Sequence, residues 1–417
     1  MPTPATPPCP AYIWQHSAWP QLTFDAAALA PALDQARLEQ GRLLGLLGAI
    51  GLEQANSVQS ELWVQEALAT AAIEGEQLNL DSVRSSVAHR LGLADARSTD
   101  RSVEGLVEVM QDALTQHGEV LDIDRLCRWQ SALFPGGTSG ITRIAVGRVR
   151  DHADAMQIIS GPLGREVVHF EAPPSAQVRA HMEAFLEWFE RMRPTGEGAA
   201  IHGIARAALV HLWFESIHPF EDGNGRLGRA LADMALAQDM QAQDALANPA
   251  LVRVYGMARQ MLKTRAAYYD ALNQVQCLRG TAPDAIAIDA TPWVQWFVQA
   301  FTSACVASQA VVRDATDKAH FRLRAAQCQT NERQRKVLER LLEAGHSGAG
   351  GGFLGGMTSE KYAKMTATSK ATATRDLADL LAKGLLRVDG VGKATRYAVN
   401  VPGWEQPAIS NATPKSK

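Results

Sequence analysis

Little in the chain marks an extracellular or membrane protein. Its five cysteines, Cys9, Cys127, Cys277, Cys305 and Cys328, lie far apart with no CxxC pair. That argues against a disulfide framework or a cysteine zinc site and points to reduced thiols in a cytoplasmic protein. No stretch supplies the ~18 uninterrupted apolar residues of a bilayer span, and the N-terminus, MPTPATPPCP, lacks the basic and apolar run of a signal peptide. Neither membrane insertion nor secretion is expected. Charge of one sign is equally scarce. A formal net charge of -3 gives no global field for nucleic acid or membrane, so any nucleic-acid contact has to be local. There is no GxxxxGK[ST] phosphate loop and no repeat array.

What is present is helical periodicity over a long chain. At 417 residues it exceeds one ordinary core, and domains of ~100–200 residues imply two or three units. Residues 1–10 are proline-rich and expected to be disordered, after which Trp14, Trp19 and Phe24 around Pro20-Gln21 anchor a helical domain over 11–95. A second helical stretch over 102–134 leads into 141–170, which reads as one short β-hairpin with Gly161-Pro162 near its tip. Helices are expected again over 176–191, 199–217, onward to 279, and over 292–326, giving a mainly α domain over 100–300 and a helical linker over 301–330. The last part changes character. One helix over 331–344, a glycine-rich loop over 345–356, helices over 359–365 and 369–383, and strands 385–388 and 396–399 around Asp389-Gly390 follow the order of a winged helix-turn-helix over 331–402. The tail, 403–417, is polar and expected to be mobile.

Chemistry concentrates in the twelve residues from His218 to Arg229, HPFEDGNGRLGR. Apolar faces before it (Ile201, Ile204, Ala208, Leu212) and after it (Leu227, Ala230, Leu231, Met234) place it in a tight turn between two buried helices. Pro219 ends the first helix, and Gly223 and Gly225 let backbone N–H groups turn inward at the positive end of the second, which is an anion nest. Arg226 and Arg229, three apart, can face the same anion. Asp222 offers a hard oxygen for a phosphate-bridging Mg²⁺, and His218 has the pKa of a base for an incoming hydroxyl. Gly223, Gly225 and Gly228 also satisfy GxGxxG, but that dinucleotide fingerprint needs a preceding β-strand, and here a helix precedes it.

This stretch resembles the signature of Fic (filamentation induced by cAMP) proteins, HPFx[DE]GNGRxxR, at every fixed position. The resemblance implies a Fic-type helical core that transfers AMP from ATP to a Ser, Thr or Tyr hydroxyl and releases pyrophosphate. It implies His218 as general base, Asp222 as Mg²⁺ ligand, Gly223, Asn224 and Gly225 as the anion hole, and Arg226 and Arg229 on the β- and γ-phosphates, with Leu227 and Gly228 inside the same nucleotide-binding stretch. Val168, His169, Phe170 and Glu171 resemble the family's β-hairpin flap, which registers the target segment. Tyr268 and Tyr269 resemble a tyrosine pair near the adenine, and Gln276 stands where some relatives carry Asn. Thr70 to Gly75, TAAIEG, resembles the [ST]xxxE[GN] inhibitory motif, in which the glutamate, here Glu74, pairs with the signature's last arginine. Trp14-Gln15 and Trp19-Pro20 look like an N-terminal domain that often precedes Fic cores.

The partners so implied are ATP, a target protein and the chain itself, with no membrane and with a homodimer left open. DNA is a further candidate through the C-terminal module. There Leu377, Leu380 and Leu381 would bury one face of a recognition helix, leaving Lys370, Thr372, Thr374 and Arg375 exposed near its start, with Lys393 and Arg396 on the wing. The alternatives are a nucleotide-sensing transcription regulator, or a Fic enzyme that moves another phosphate-linked group or removes AMP.

Overall fold

The structure, a computed structural model, describes residues 11–404 apart from 51, 94–97, 99, 161–164, 166, 196, 245–247, 279–281, 283–284, 345–355 and 390–394. It is mainly helical and separates into two compact units, one of 1–48 with 56–309 and one of 49–55 with 310–417.

In the first unit a short strand β1 (Leu22–Thr23) precedes α1 (Ala26–Ala49), α2 (Leu52–Ile73) and α3 (Leu80–Arg90). The stretch over 102–134 is two helices, α4 (Arg101–Thr115) and α5 (Ile123–Leu133), because Asp122 accepts the Arg125 N–H at 2.7 Å and starts a new helix. The region expected as one hairpin holds two: β2 (Thr138–Ser139) with β3 (Thr142–Arg143), and β4 (Gln157–Ser160) with β5 (Val167–Glu171). Between them the backbone bonds elsewhere, Ala145 N–H to the Glu221 carboxylate at 2.9 Å and Arg150 N–H to the Pro219 carbonyl at 2.9 Å. Its donors are spent on the turn after the next helices, so no strand forms. Gly161-Pro162 lies outside the described residues.

Then follow α6 (Ser175–Arg191), α7 (Gly203–Ile217), α8 (Asn224–Gln243), α9 (Met257–Lys263), α10 (Arg265–Gln276), β6 (Ile288–Asp289) and α11 (Thr291–Gln327), whose residues from 310 onward belong to the second unit. α7 begins at Gly203, not 199, where His202 Nδ1 accepts the Ile204 N–H at 3.3 Å. Every residue of α7 is buried, as befits a helix apolar around most of its circumference. It packs antiparallel to α8 across the short turn and forms the centre of the unit with it. The N-terminal aromatics anchor as expected: Trp14 Nε1 donates to the Glu171 carbonyl at 2.7 Å, and Trp19 packs edge-on against Trp213. β1 pairs in parallel with β6, tying the chain's start to the segment before α11.

The second unit carries α12 (Glu332–Ala344), α13 (Ser359–Thr366), α14 (Lys370–Ala382) and an antiparallel pair, β7 (Leu386–Asp389) and β8 (Arg396–Val399). Its core gathers Val337, Leu342, Met357, Tyr362, Leu377, Leu380 and Trp404. Two expectations fail here. Leu381 is 40% exposed, since Leu377 and Leu380 already occupy the inward face at i and i+3. Trp404, assigned to a mobile tail, is buried, with Nε1 donating to Asp317 at 3.2 Å. Arg375 and Thr372 lie near the start of α14, but Lys370 is paired with Glu360 at 2.5 Å. The loop over 345–355, Gly390 and Lys393 lie outside the described residues. Among the described residues, no helix is long and apolar enough to cross a membrane.

Candidate active site

The α7–α8 turn is built by its own backbone. His218 closes α7 in the left-handed region with φ 50°, and Gly223 opens α8 with φ 90°. A Cβ on Gly223 would lie 2.9 Å from Phe134 Cε2, so that position is glycine for space as well as for φ. Asn224 locks the loop through two bonds to one residue: its Oδ1 accepts the Phe220 N–H at 3.0 Å and its Nδ2 donates to the Phe220 carbonyl at 2.8 Å. Asp222 accepts from the Ser139 hydroxyl and from the Gly223 N–H.

A residue that the sequence reading missed fixes the turn from below. Arg150 is 1% exposed, and its guanidinium donates to the carbonyls of His218 at 2.8 Å, Pro173 at 2.5 Å and Ile217 at 3.3 Å and to Ser175 Oγ at 3.1 Å. It therefore serves the orphan carbonyls at the negative end of α7. Burial lowers its pKa to about 10, so it stays charged at neutral pH. Nothing in the local sequence flags Arg150, because all its partners but Ser175 are backbone groups that any residue would supply.

Beside the turn lies a cavity of about 480 Å³. Among the residues expected at the site, it brings together His218, Glu74, Gly225, His169, Phe170, Tyr268, Tyr269 and Gln276. Tyr268 is buried, with its hydroxyl 2.9 Å from His211 Nε2, and Gln276 donates to Ser216 Oγ at 3.2 Å. Arg265 and Tyr269 stack on one wall, the guanidinium 5.6 Å from the ring centroid. Not all expected residues reach it with side chains. Leu227 is fully buried in the core, Val168 is 43% exposed on the hairpin, Glu171 is bonded to Gln157 at 2.8 Å, and Asp222, Gly223, Asn224, Arg226 and Arg229 do not line the cavity. Gly228 packs under Glu215 and His211, where a Cβ would meet Glu215 Oε1 at 2.6 Å.

Both arginines of the turn are engaged by the end of α2. Arg229 donates to Glu74 Oε1 at 2.7 Å, to Thr70 Oγ1 at 2.7 Å and to the Thr70 carbonyl at 3.0 Å. Arg226 donates to Glu76 Oε2 at 2.8 Å, lies 3.7 Å from Asp222 Oδ1 and sits over the Phe134 ring at 4.8 Å. Glu76 was not singled out in the sequence; its place two residues after Glu74 was the available signal.

Electrostatics divide the site. Burial, with Arg150 adding, lowers the His218 pKa to about 4, so its imidazole is neutral at pH 7 and able to accept a proton. Glu215, another residue the sequence reading missed, is held up to about 8 by burial and then by Glu74, and so keeps its proton at pH 7. Its Oε2 lies 3.7 Å from His218 Nδ1. Burial alone would lower the Arg229 guanidinium, but Glu74, with Tyr268 and Glu215 adding, leaves it raised above its ordinary value. Asp222 brings one carboxylate to the nest, which fits Mg²⁺, an ion usually held by one or two carboxylates together with substrate phosphates.

Comparison with known proteins bears on this arrangement. Residues 120–236 match the Fic/DOC family, and residues 12–93 match a domain of unknown function, DUF4172. The chain is similar to "Protein adenylyltransferase Fic" of Aedes aegypti, 25% identical over 184 residues that make up 43% of this chain and 33% of that one. It is similar also to the protein of that name in Nematostella vectensis, 26% identical over 219 residues, 51% of this chain and 43% of that one. The chain thus spans less than half the length of these curated relatives. Among solved structures, a Fic family protein from Desulfovibrio desulfuricans G20 superposes with a TM-score of 0.47 at 20% identity, covering 88% of this chain and 96% of that one. A Fic domain containing signaling protein from Bacteroides thetaiotaomicron VPI-5482 gives 0.46 at 15%, covering 67% and 97%.

Proposed function

With a Fic/DOC domain over residues 120–236 as its premise, we propose that the chain is a protein adenylyltransferase, moving AMP from ATP to a Ser, Thr or Tyr hydroxyl and held back by Glu74. One observation carries this reading: a single cavity is bounded by His218, by Gly225 at the N-terminus of α8, and by Tyr268 and Gln276. A proton acceptor, a phosphate nest and a wall for a base therefore share one space.

Neutral His218 takes the proton of the acceptor hydroxyl, whose oxygen forms a bond to the α-phosphorus as the bond to the departing pyrophosphate breaks. Arg226 and Arg229 hold the β- and γ-phosphates, and backbone N–H groups at Gly223 to Gly225 orient the α-phosphate. Asp222 would hold Mg²⁺, which when bound supplies charge neutralisation to the phosphates. The hairpin β4–β5 offers the exposed Ile159, Val167 and Val168 as the place where a target segment would lie.

The test is incubation of the purified chain with ATP labelled at the α- or the γ-phosphate. Label retained on protein from the α position only, and reduced about 10²–10⁴-fold in His218→Ala, is the expected result. Retention from the γ position would mean another group is moved. Salt-sensitive retardation of DNA with no label retained at all would replace the transferase by a nucleotide-sensing regulator.

A further inference from the structure

The turn that ends α2 has an arrangement that helix stability alone does not account for. Glu76 N–H donates to the Ala71 carbonyl and Gly75 N–H to the Ala72 carbonyl, both at 3.0 Å, and Gly75 has φ 82°. This is a Schellman turn, and it places Glu74 and Glu76 on either side of its glycine. Carboxylates are disfavoured there, at the negative end of a helix, where lysine or arginine is the stabilising choice. Two are present nonetheless, and each has its own guanidinium: Glu74 meets Arg229 at 2.7 Å and Glu76 meets Arg226 at 2.8 Å. Both arginine side chains are nearly buried, 6% and 7% exposed, whereas the two carboxylates are 31% and 39% exposed. The cations are fixed and the anions are the removable partners.

We propose that Glu76 is a second inhibitory carboxylate, so that one turn after α2 occupies both phosphate-binding arginines of the site at once. This rests on the reading above, in which Arg226 and Arg229 hold the polyphosphate. A triphosphate must displace both carboxylates to gain both arginines. The two pairs share no atom, and Glu74 alone also presses on Gly225, where a Cβ would lie 2.2 Å from Glu74 Oε1. Glu74 therefore blocks space and charge, while Glu76 blocks charge only. A nucleoside monophosphate, which does not need the two arginines, should be far less sensitive to Glu76 than a triphosphate.

Calorimetric titration of the full chain with ATP and with AMP tests this in Glu74→Gly, Glu76→Gln, the double variant, and Glu61→Gln as a control, a carboxylate of α2 that pairs with Arg84 at 3.8 Å. The expected result is ATP affinity raised about fivefold in Glu76→Gln, more in Glu74→Gly, which also frees the space at Gly225, and about fivefold further in the double variant than in Glu74→Gly. AMP affinity in Glu76→Gln, and both affinities in Glu61→Gln, should stay within about twofold of the native chain. Glu76→Gln keeps the size of a half-exposed side chain, so folding is not at stake, and an unchanged melting temperature checks that. Unchanged ATP affinity in Glu76→Gln, with the double variant no tighter than Glu74→Gly, would overturn the proposal. So would equal tightening in Glu61→Gln. Transfer assays on the same proteins separate this from the wider reading: tighter ATP binding with no labelled protein in any variant keeps the two-carboxylate block and removes the transferase. Active Glu74→Gly with an indifferent Glu76→Gln does the reverse.

Discussion

Two glycine-bearing turns face each other across the site, and they are built in opposite ways. The α7–α8 turn is held from within: Asn224 bonds both backbone groups of Phe220, Arg150 binds three carbonyls around it, and Arg226 and Arg229 are almost buried. The end of α2 and the turn after it meet the site with the Thr70 side chain and two half-exposed carboxylates. Backbone bonds inside a buried loop are not exchanged without unfolding it, whereas a carboxylate on a guanidinium can be exchanged for a phosphate. The difference separates a permanent half of the site from a replaceable one.

The largest effect belongs to the permanent half. Arg150→Met strips the carbonyls of His218, Pro173 and Ile217 of a donor in a buried setting, each loss costing about 1–3 kcal/mol. A fall of about 5–10 °C in melting temperature is expected, together with loss of transfer, because His218 and the nest lose their shared support. A variant as stable as the native chain would show that the turn needs no such tether. Next in size is Glu74→Gly on the replaceable half. Self-modification should rise about tenfold, within the usual range of coupling between a bound segment and a ligand, with melting temperature lowered by about 2–4 °C because the nearly buried Arg229 keeps only its bonds to Thr70. Unaltered labelling would remove Glu74 as a brake.

The sequence disclosed these halves unequally. The His218–Arg229 turn was legible because its glycines, proline and buried flanks act over a dozen consecutive residues, so local chemistry determines the geometry. The helices around it were legible through period, although Asp122 splits what reads as one helix and the backbone donors of 145–150 turn one expected hairpin into two. Arg150 and Glu215 were invisible because their roles depend on what tertiary packing brings to them, carbonyls in one case and burial in the other. Leu227 shows the converse error: membership of the signature placed it at the nucleotide, while its position on α8 turns it into the core.

The smallest effect concerns Glu215, which belongs to the permanent half but bears a titratable proton. Its carboxyl is held up to about 8 in the folded chain, first by burial and then by Glu74, against an ordinary value of 4.5. The folded state therefore binds a proton that the unfolded state has released between those two values. By linkage, stability falls as pH rises from about 4.5 to about 8 and levels off beyond. His218 acts in the opposite sense, since its lowered pKa makes stability rise with pH between about 4 and 6.5. The window free of His218 is thus pH 6.5 to 8, where Glu215 titrates, and Asp233, also raised by burial, contributes in the same sense. Across that window the native melting temperature should fall, and Glu215→Gln should flatten the fall by about 2–4 °C. Combining it with Glu74→Gly should shrink the difference, because Glu74 is the charge that, after burial, holds the proton on. An identical slope in Glu215→Gln and the native chain would place the titrating group elsewhere and leave the buried carboxyl with no part in the pH response.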